Sequence, residues 1–271
     1  MNRITKKFQE LRKEGKTAFM PFMVAGDPDF ETSLKIAKTL TSYADFLEIG
    51  FPYSDPLADG PTIQAANQRA LKAGMNTEKV FKLVKKIRSF TEIPITMLIY
   101  ANLIYQRGIE QFYRQAKQAG IDGVLVPDVP VEESIPFVMA ARKAGISPIF
   151  LVSQTTTNQR LAKILQHAQG YLYLVSVLGV TGERNKLPGE VLSLIERVKA
   201  ITGLPIAVGF GISKPSHIKM LKKAGVDGYI IGSALIKIIE ENIGKNRDKL
   251  LRELEGYVAT LLCWGLGIWS T

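Results

Sequence analysis

Short apolar runs recur along nearly the whole chain, each bounded by glycine, proline or polar residues. Runs of this length and with these boundaries are typical of buried β-strands. They cover residues 18–24, 46–49, 95–100, 123–126, 148–152, 171–176, 205–208 and 228–231. Because these runs lack a polar face, they predict a parallel sheet that is buried on both sides.

The segments between the runs carry apolar residues at helical spacing. Ile4, Phe8 and Leu11 predict a helix over residues 3–14, ahead of the first strand. Further helices are predicted at residues 30–42, 62–72, 77–88, 109–119, 134–144, 159–168, 190–201, 217–224, 235–242 and 247–262. Eight strand–helix units in 271 residues fit a (β/α)8 barrel better than a doubly wound sheet. We therefore predict an α/β protein: a single-domain TIM barrel over residues 1–271 with an extra N-terminal helix.

Composition adds a few constraints. The net charge is +10, but the lysines are scattered over predicted helices, so we interpret them as solvated outer faces rather than a nucleic-acid surface. The single cysteine, Cys263, excludes an intrachain disulfide and fits a reducing compartment. Residues 1–16 lack the apolar stretch of a secretory signal, and no apolar run approaches the roughly 18 residues of a membrane span. We expect a cytoplasmic protein with no membrane contact.

An acidic residue interrupts the second apolar run. Glu48 lies on the predicted strand, where burying an unpaired carboxylate would cost several kcal/mol. The Gly- and Pro-rich loop that follows supplies Asp55 and Asp59, so a strand carboxylate and a loop carboxylate form a candidate general acid/base pair. Two alternatives remain open: Glu48 could pair with a lysine or arginine, and the loop acids could cap their own turn.

Several other groups reach the carboxyl ends of the predicted strands, where barrels of this kind carry their active sites. Asp128 follows the fourth strand, and Tyr173 lies near the end of the sixth, where it could equally be a barrel-filling aromatic residue. If the strand faces that carry these residues point inward, both side chains join Glu48 and Asp59. Apolar residues at the same end are Phe22, Leu98 and Phe210.

Glycines follow the last three predicted strands. Gly211 lies after the seventh strand, Gly232 and Ser233 after the eighth, and Gly182 after the sixth. Backbone N–H groups at helix starts bind phosphate when no side chain blocks them, and barrels often hold phosphate at strands seven and eight. These glycines therefore predict a phosphate-binding end.

Two kinds of chemistry find no support in the sequence. No His, Cys and Asp spacing suits a metal, since His167 and His217 both lie on predicted helices. No predicted strand ends in a lysine that could form a Schiff base. Carbon–carbon cleavage at this site would therefore depend on acid/base groups, without a cofactor.

Residues 47–64, LEIGFPYSDPLADGPTIQ, resemble the signature of the tryptophan synthase alpha chain family. Shorter motifs resemble the same family at residues 21–28, 100–102, 128–134, 179–182, 209–213 and 232–233. The resemblance runs from about residue 4 to the C-terminal helices. It implies an aldolase-type lyase of tryptophan biosynthesis that cleaves indole-3-glycerol phosphate to indole and glyceraldehyde 3-phosphate.

The resemblance also implies roles for individual residues. Glu48 and Asp59 match the two catalytic carboxylates, the first transferring protons and the second holding the indole N–H. Tyr173 matches a tyrosine beside the bond that breaks, and Thr181 lies in the closing loop. The implied phosphate cradle is Gly182, Gly211, Gly232 and Ser233. The implied indole pocket is Phe22, Leu98 and Phe210.

The implied partner is a separate beta chain that carries pyridoxal phosphate, joined to this chain in an α2β2 heterotetramer. Residues 52–59 would lie at that contact. Val177 and Leu178 depart from the family pattern at the base of the closing loop, where the family has Arg in some members and Thr or Ala in most. Two other functions stay open: a catalytically silent subunit that activates a beta chain, and a different phosphate-binding barrel such as an isomerase.

Overall fold

A computed structural model of the chain describes residues 2–175, 189–209 and 211–265. In these residues eight parallel strands form a closed barrel in chain order, with the first strand paired to the last. The strands are Ala18–Val24 (β1), Leu47–Gly50 (β2), Ile95–Leu98 (β3), Gly123–Leu125 (β4), Ser147–Val152 (β5), Leu172–Val175 (β6), Ile206–Gly209 (β7) and Gly228–Ile231 (β8). The predicted TIM barrel is confirmed.

Helices follow the strands and cover the barrel. They are Arg3–Lys13 (α1), Phe30–Thr41 (α2), Pro61–Lys72 (α3), Thr77–Arg88 (α4), Ala101–Arg107 (α5), Ile109–Ala119 (α6), Ile135–Ala144 (α7), Asn158–His167 (α8), Gly189–Lys199 (α9), Pro215–Lys223 (α10), Ser233–Glu241 (α11) and Arg247–Gly265 (α12). None of these described helices is long and apolar enough to cross a membrane.

The N-terminal helix closes one end of the barrel. The Asn2 side chain caps α1 by accepting a hydrogen bond from the Thr5 N–H at 3.0 Å. The buried Phe8 ring packs against Phe46 and Tyr171, with centroid distances of 4.6 and 5.9 Å. These two rings lie just before β2 and β6, so α1 seals the amino ends of the strands. The extra N-terminal helix is therefore confirmed, and it leaves the opposite end for the site.

An ion-pair clamp joins three elements around that opposite end. Asp27 follows β1, is 1% exposed, and accepts two hydrogen bonds from Arg69 of α3 at 2.7 and 2.9 Å. The same guanidinium donates to Glu240 of α11 at 3.1 Å. Because α3 follows the loop that carries Asp59, and α11 begins beside Gly232, this clamp fixes both helices relative to β1.

One helix was not predicted. The sequence pattern extended β3 to residue 100, whereas the strand ends at Leu98 and α5 begins at Ala101. The Asp128 carboxylate accepts a hydrogen bond from the Ala101 N–H at 3.0 Å, which satisfies a donor at the start of α5. That stabilising group comes from another part of the chain, so local sequence gave no helix signal.

Candidate active site

A cavity of about 760 Å³ lies at the carboxyl ends of the strands. Its size suits a small-molecule ligand. Its described walls bring together most of the predicted site residues, namely Phe22, Asp59, Leu98, Tyr173, Gly211, Gly232 and Ser233. Three further predicted residues, Thr181, Gly182 and Phe210, lie outside the described residues, as do Val177 and Leu178.

Glu48 does not line this cavity, but it lies on β2 beside the wall residue Phe22. It pairs in register with Phe22 of β1 and Thr96 of β3, and it is completely buried. Neither carboxyl oxygen has a hydrogen-bond partner among the described residues, and no described lysine or arginine forms an ion pair with it. The described residues therefore do not support the alternative in which Glu48 pairs with a lysine or arginine.

Burial is the main influence on the Glu48 carboxyl. It raises the pKa from 4.5 to about 8, because the barrel interior cannot solvate a carboxylate. The negative charge of Asp59 raises this pKa further, and the Tyr173 hydroxyl offsets part of the rise. The carboxyl is therefore mostly protonated at neutral pH.

Burial also raises the pKa of Asp59, but by less than it raises that of Glu48. Asp59 is half-buried on the loop between β2 and α3, residues 51–60, which we name the acidic loop. Burial raises its pKa from 3.8 to about 6, while Asn67 and Tyr100 oppose the rise. At pH 7 Asp59 is mostly ionised whereas Glu48 is mostly protonated. Two carboxyl groups with separated pKa values at one site are the arrangement that general acid/base chemistry requires.

Asn67 of α3 holds the acidic loop in place. Its side-chain amide donates to the Asp59 carboxylate at 3.3 Å and to the Ile63 carbonyl at 3.0 Å. Its side-chain oxygen accepts from the Tyr53 N–H at 3.2 Å. Sequence reasoning missed this residue, although an amide between Ala66 and Ala70 on the buried face of α3 was a usable signal.

Tyr100 is a second anchor for the same loop. Its buried ring stacks on Tyr53 with a centroid distance of 5.0 Å, and its hydroxyl accepts from the Ala58 N–H at 3.1 Å. Asp59 is therefore held from two directions. Asp55 behaves differently, because it is exposed and accepts a hydrogen bond from the neighbouring Ser54 hydroxyl at 2.5 Å. For Asp55 the alternative of a purely local role within its own loop was therefore right.

Two glycines make room for the aromatic walls of the cavity. A Cβ atom at Gly209 would lie 2.5 Å from the Tyr173 hydroxyl oxygen, and one at Gly50 would lie 2.6 Å from the Phe22 ring. Both distances are too short for any side chain at these positions. Gly209 begins one of the family motifs, residues 209–213, and its small size admits the Tyr173 phenol. Burial raises the pKa of Tyr173 well above its ordinary value, so the phenol remains protonated.

The sequence left open whether Asp128 faces the barrel interior, and Asp128 does not join the other predicted site residues. Val124, Val126 and Asp128 do share one face, but that face lines a separate cavity of about 350 Å³ that Phe137 of α7 also lines. Pro127 lines both cavities, whereas Asp128 is absent from the walls of the main one. Strand alternation fixes which residues share a face, but barrel closure decides which face is inward.

Two glycines and the start of a helix lie at the end of the cavity near β7 and β8. Gly211 and Gly232 line it, and Ser233 is the first residue of α11, whose first turn contains no acidic residue. Helix N-termini carry unsatisfied N–H groups and partial positive charge, which suits an anion. Among the described residues there is no group of three His, Cys, Asp or Glu side chains that could hold a metal ion.

Sequence comparison identifies relatives across most of the chain. A family model described as tryptophan synthase alpha chain matches residues 8–261. The tryptophan synthase alpha chain of Methanoregula boonei is 52% identical over 250 residues, which cover 92% of this chain and 94% of the relative. That of Methanothermobacter thermautotrophicus is 49% identical over 255 residues, covering 94% of each.

Solved structures give the same result. A crystal structure of the tryptophan synthase complex from Pyrococcus furiosus aligns with a TM-score of 0.84 at 39% identity, covering 90% of this chain and 97% of that one. A structure of the α2β2 complex from the same organism aligns with a TM-score of 0.86 at 40% identity, with the same coverage.

The raised pKa of Glu48 predicts a pH-dependent stability difference between the native chain and Glu48→Gln. Between about pH 4.5 and 8 the folded state binds a proton that the unfolded state releases, so this residue costs stability as pH rises. Glutamine avoids that cost. We expect the free energy of unfolding of Glu48→Gln to rise by roughly 3–5 kcal/mol relative to that of the native chain between pH 4.5 and 9, measured by urea unfolding. Glu196→Gln, an exposed change on α9, should show no such trend. A stability difference between Glu48→Gln and the native chain that does not vary with pH would contradict the raised pKa of Glu48.

Proposed function

The chain belongs to the tryptophan synthase alpha chain family, and on this basis we propose that Glu48 and Asp59 carry out its acid/base chemistry. The enzyme is a lyase of tryptophan biosynthesis that cleaves indole-3-glycerol phosphate, with indole and glyceraldehyde 3-phosphate as products. The observation that carries the proposal is a pair of interacting carboxyl groups, with Asp59 on the cavity wall and the buried Glu48 paired with the wall residue Phe22, whose pKa values are about 6 and about 8.

In our proposal Glu48 transfers protons at C3 of the indole ring and at the side-chain hydroxyl oxygen. The protonated carboxyl donates its proton to C3 of the indole ring, which makes that ring a leaving group. The bond from C3 to the hydroxyl-bearing side-chain carbon then breaks, and that hydroxyl becomes the aldehyde. The Glu48 carboxylate accepts the hydroxyl proton, so the residue finishes each turnover protonated, as it began.

Asp59 has an electrostatic task in the same step. Protonation at C3 leaves positive charge on the ring nitrogen, and an ionised carboxylate that accepts the N–H hydrogen bond stabilises that charge. This requires Asp59 to be charged while Glu48 is neutral, which the separated pKa values support. Asn67 and Tyr100 would keep the carboxylate in position during the reaction.

The remaining roles concern binding. We propose that Phe22, Leu98 and Phe210 hold the indole ring, with Tyr173 beside the reacting bond and Thr181 in a closing loop. The phosphate would bind the backbone at Gly182, Gly211, Gly232 and Ser233. In this proposal no cofactor acts in this chain, because proton transfer suffices for the cleavage.

Removing the Glu48 acid should abolish most of the activity. Glu48→Gln keeps the shape of the side chain but has no transferable proton, so we expect indole release to fall at least about 100-fold. The measurement is indole formation from indole-3-glycerol phosphate by the purified chain, with Glu196→Gln as the control. Undiminished turnover in Glu48→Gln would remove this residue from the mechanism, and no turnover by the native chain would favour the silent-subunit alternative.

The two pKa values also predict a bell-shaped pH profile. Activity requires Asp59 ionised and Glu48 protonated, so kcat/KM should rise near pH 6 and fall near pH 8. Asp59→Asn should remove the rise near pH 6 in whatever activity remains, which separates this group from ionisation of the substrate phosphate. A profile that is flat from pH 5 to 9 would contradict the assignment.

We further propose that a pyridoxal phosphate-dependent beta chain docks on the acidic loop, forming an α2β2 complex in the cytoplasm. Leu57 lies on this loop and is 93% exposed, which is unusual for a large apolar side chain. Asp59 lies two residues further along. A partner that covers Leu57 would therefore restrict the motion of the loop that holds the proposed catalytic Asp59. The α2β2 complex of the relative from Pyrococcus furiosus supports a beta-chain partner, and the exposed Leu57 supports this loop as the contact.

Docking on this loop predicts that the cognate beta chain accelerates indole formation. Turnover by the native chain alone should be slow and should rise when the beta chain is added. Leu57→Ser should need a higher beta-chain concentration for the same stimulation, whereas Ile201→Ser, an exposed apolar change after α9, should not. Equal stimulation of the native chain and Leu57→Ser would place the contact elsewhere.

A further inference from the structure

The main cavity contains a single cationic side chain among its described wall residues. It is Lys237, which lines the same cavity as Gly211, Gly232 and Ser233. The other polar wall residues are neutral or, in the case of Asp59, acidic. A full positive charge in a cavity that also holds a backbone anion site is not needed for packing, because Lys237 is exposed.

The position of Lys237 on α11 directs it toward the start of that helix. It lies four residues after Ser233, so both side chains share one face. Helical side chains lean toward the N-terminus of their helix, which brings the ammonium group back over the first turn. Lys237 and the residues at the start of α11, Gly232 and Ser233, therefore face the same cavity.

The charge of Lys237 is not used elsewhere in the described part of the chain. It forms no ion pair with Asp59 or with any other described carboxylate, and its ammonium group makes no hydrogen bond there. Its charge is therefore available to an anion that binds in the cavity at the start of α11.

We propose that Lys237 is a phosphate-recognition residue that selects phosphorylated over unphosphorylated substrate. The inference rests on the function proposed above, because it assigns a charge partner to the phosphate of that substrate. The backbone N–H groups fix where the phosphate lies, and Lys237 supplies the full charge that neutral donors lack. The bond that breaks is at the other end of the substrate, so Lys237 contributes to capture rather than to the chemical step.

The test compares Lys237→Gln and Lys237→Arg with Lys219→Gln, a matched loss of one exposed charge on α10. Indole release is measured from indole-3-glycerol phosphate and from its dephosphorylated analogue. We expect Lys237→Gln to raise KM for the phosphorylated substrate about fivefold to tenfold, with kcat within about twofold. Lys237→Arg should restore KM to within about twofold, because the cation is retained.

The unphosphorylated analogue separates recognition from structure. Its kcat/KM should be the same in the native chain and in Lys237→Gln, and Lys219→Gln should match the native chain with both substrates. The slope of kcat/KM against salt should be smaller in Lys237→Gln, since one charge contact is gone. An unchanged KM in Lys237→Gln, or an equal loss with both substrates, would overturn the inference.

A binding measurement distinguishes this inference from the proposed function. Inorganic phosphate is titrated into each variant by calorimetry, without any turnover. Weaker binding by Lys237→Gln than by Lys219→Gln supports the role of Lys237, and equal binding overturns it. If the native chain binds phosphate but releases no indole, the proposed reaction fails while the assignment of Lys237 is decided by the titration alone.

Discussion

A carboxyl group with no hydrogen-bonding partner among the described residues is the constraint around which this barrel is built. Glu48 is held on β2, where the closed sheet excludes water and the neighbouring strands supply mainly apolar side chains. Such a group is tolerated only in its neutral form, because ionising it there would cost several kcal/mol. The same burial that strains the fold gives the residue a proton to donate near pH 7. Stability and chemistry therefore compete at this one side chain.

Two residues of similar chemistry acquire different protonation states because their supports differ. Glu48 sits on a rigid strand beside Phe22 and Thr96, whereas Asp59 sits on a loop where an amide and a hydroxyl partly replace water. Asn67 is what links that loop to α3. The position of the second carboxylate is therefore set by a helix that contributes no group to the proposed chemistry.

The two ends of the cavity are mechanically connected through the same helix. Arg69 of α3 holds the buried Asp27 after β1 and also reaches Glu240 of α11. The acidic loop precedes α3, and the proposed phosphate site lies at the start of α11. A charged clamp outside the cavity thus fixes the relative positions of α3 and α11, which leaves the cavity walls free for ligand contacts.

The sequence by itself determined the barrel, the N-terminal helix α1 and the presence of an acid, Glu48, on a buried strand, because periodicity and an acid within an apolar run are local properties. It also supplied, by family resemblance, the pairing of Glu48 with Asp59. Only the tertiary structure decided that Asp128 caps α5 outside the barrel, that Asn67 holds Asp59, and that Gly209 admits Tyr173. Alternation relates residues within one strand, but which face turns inward and which distant groups meet are fixed only when the sheet closes.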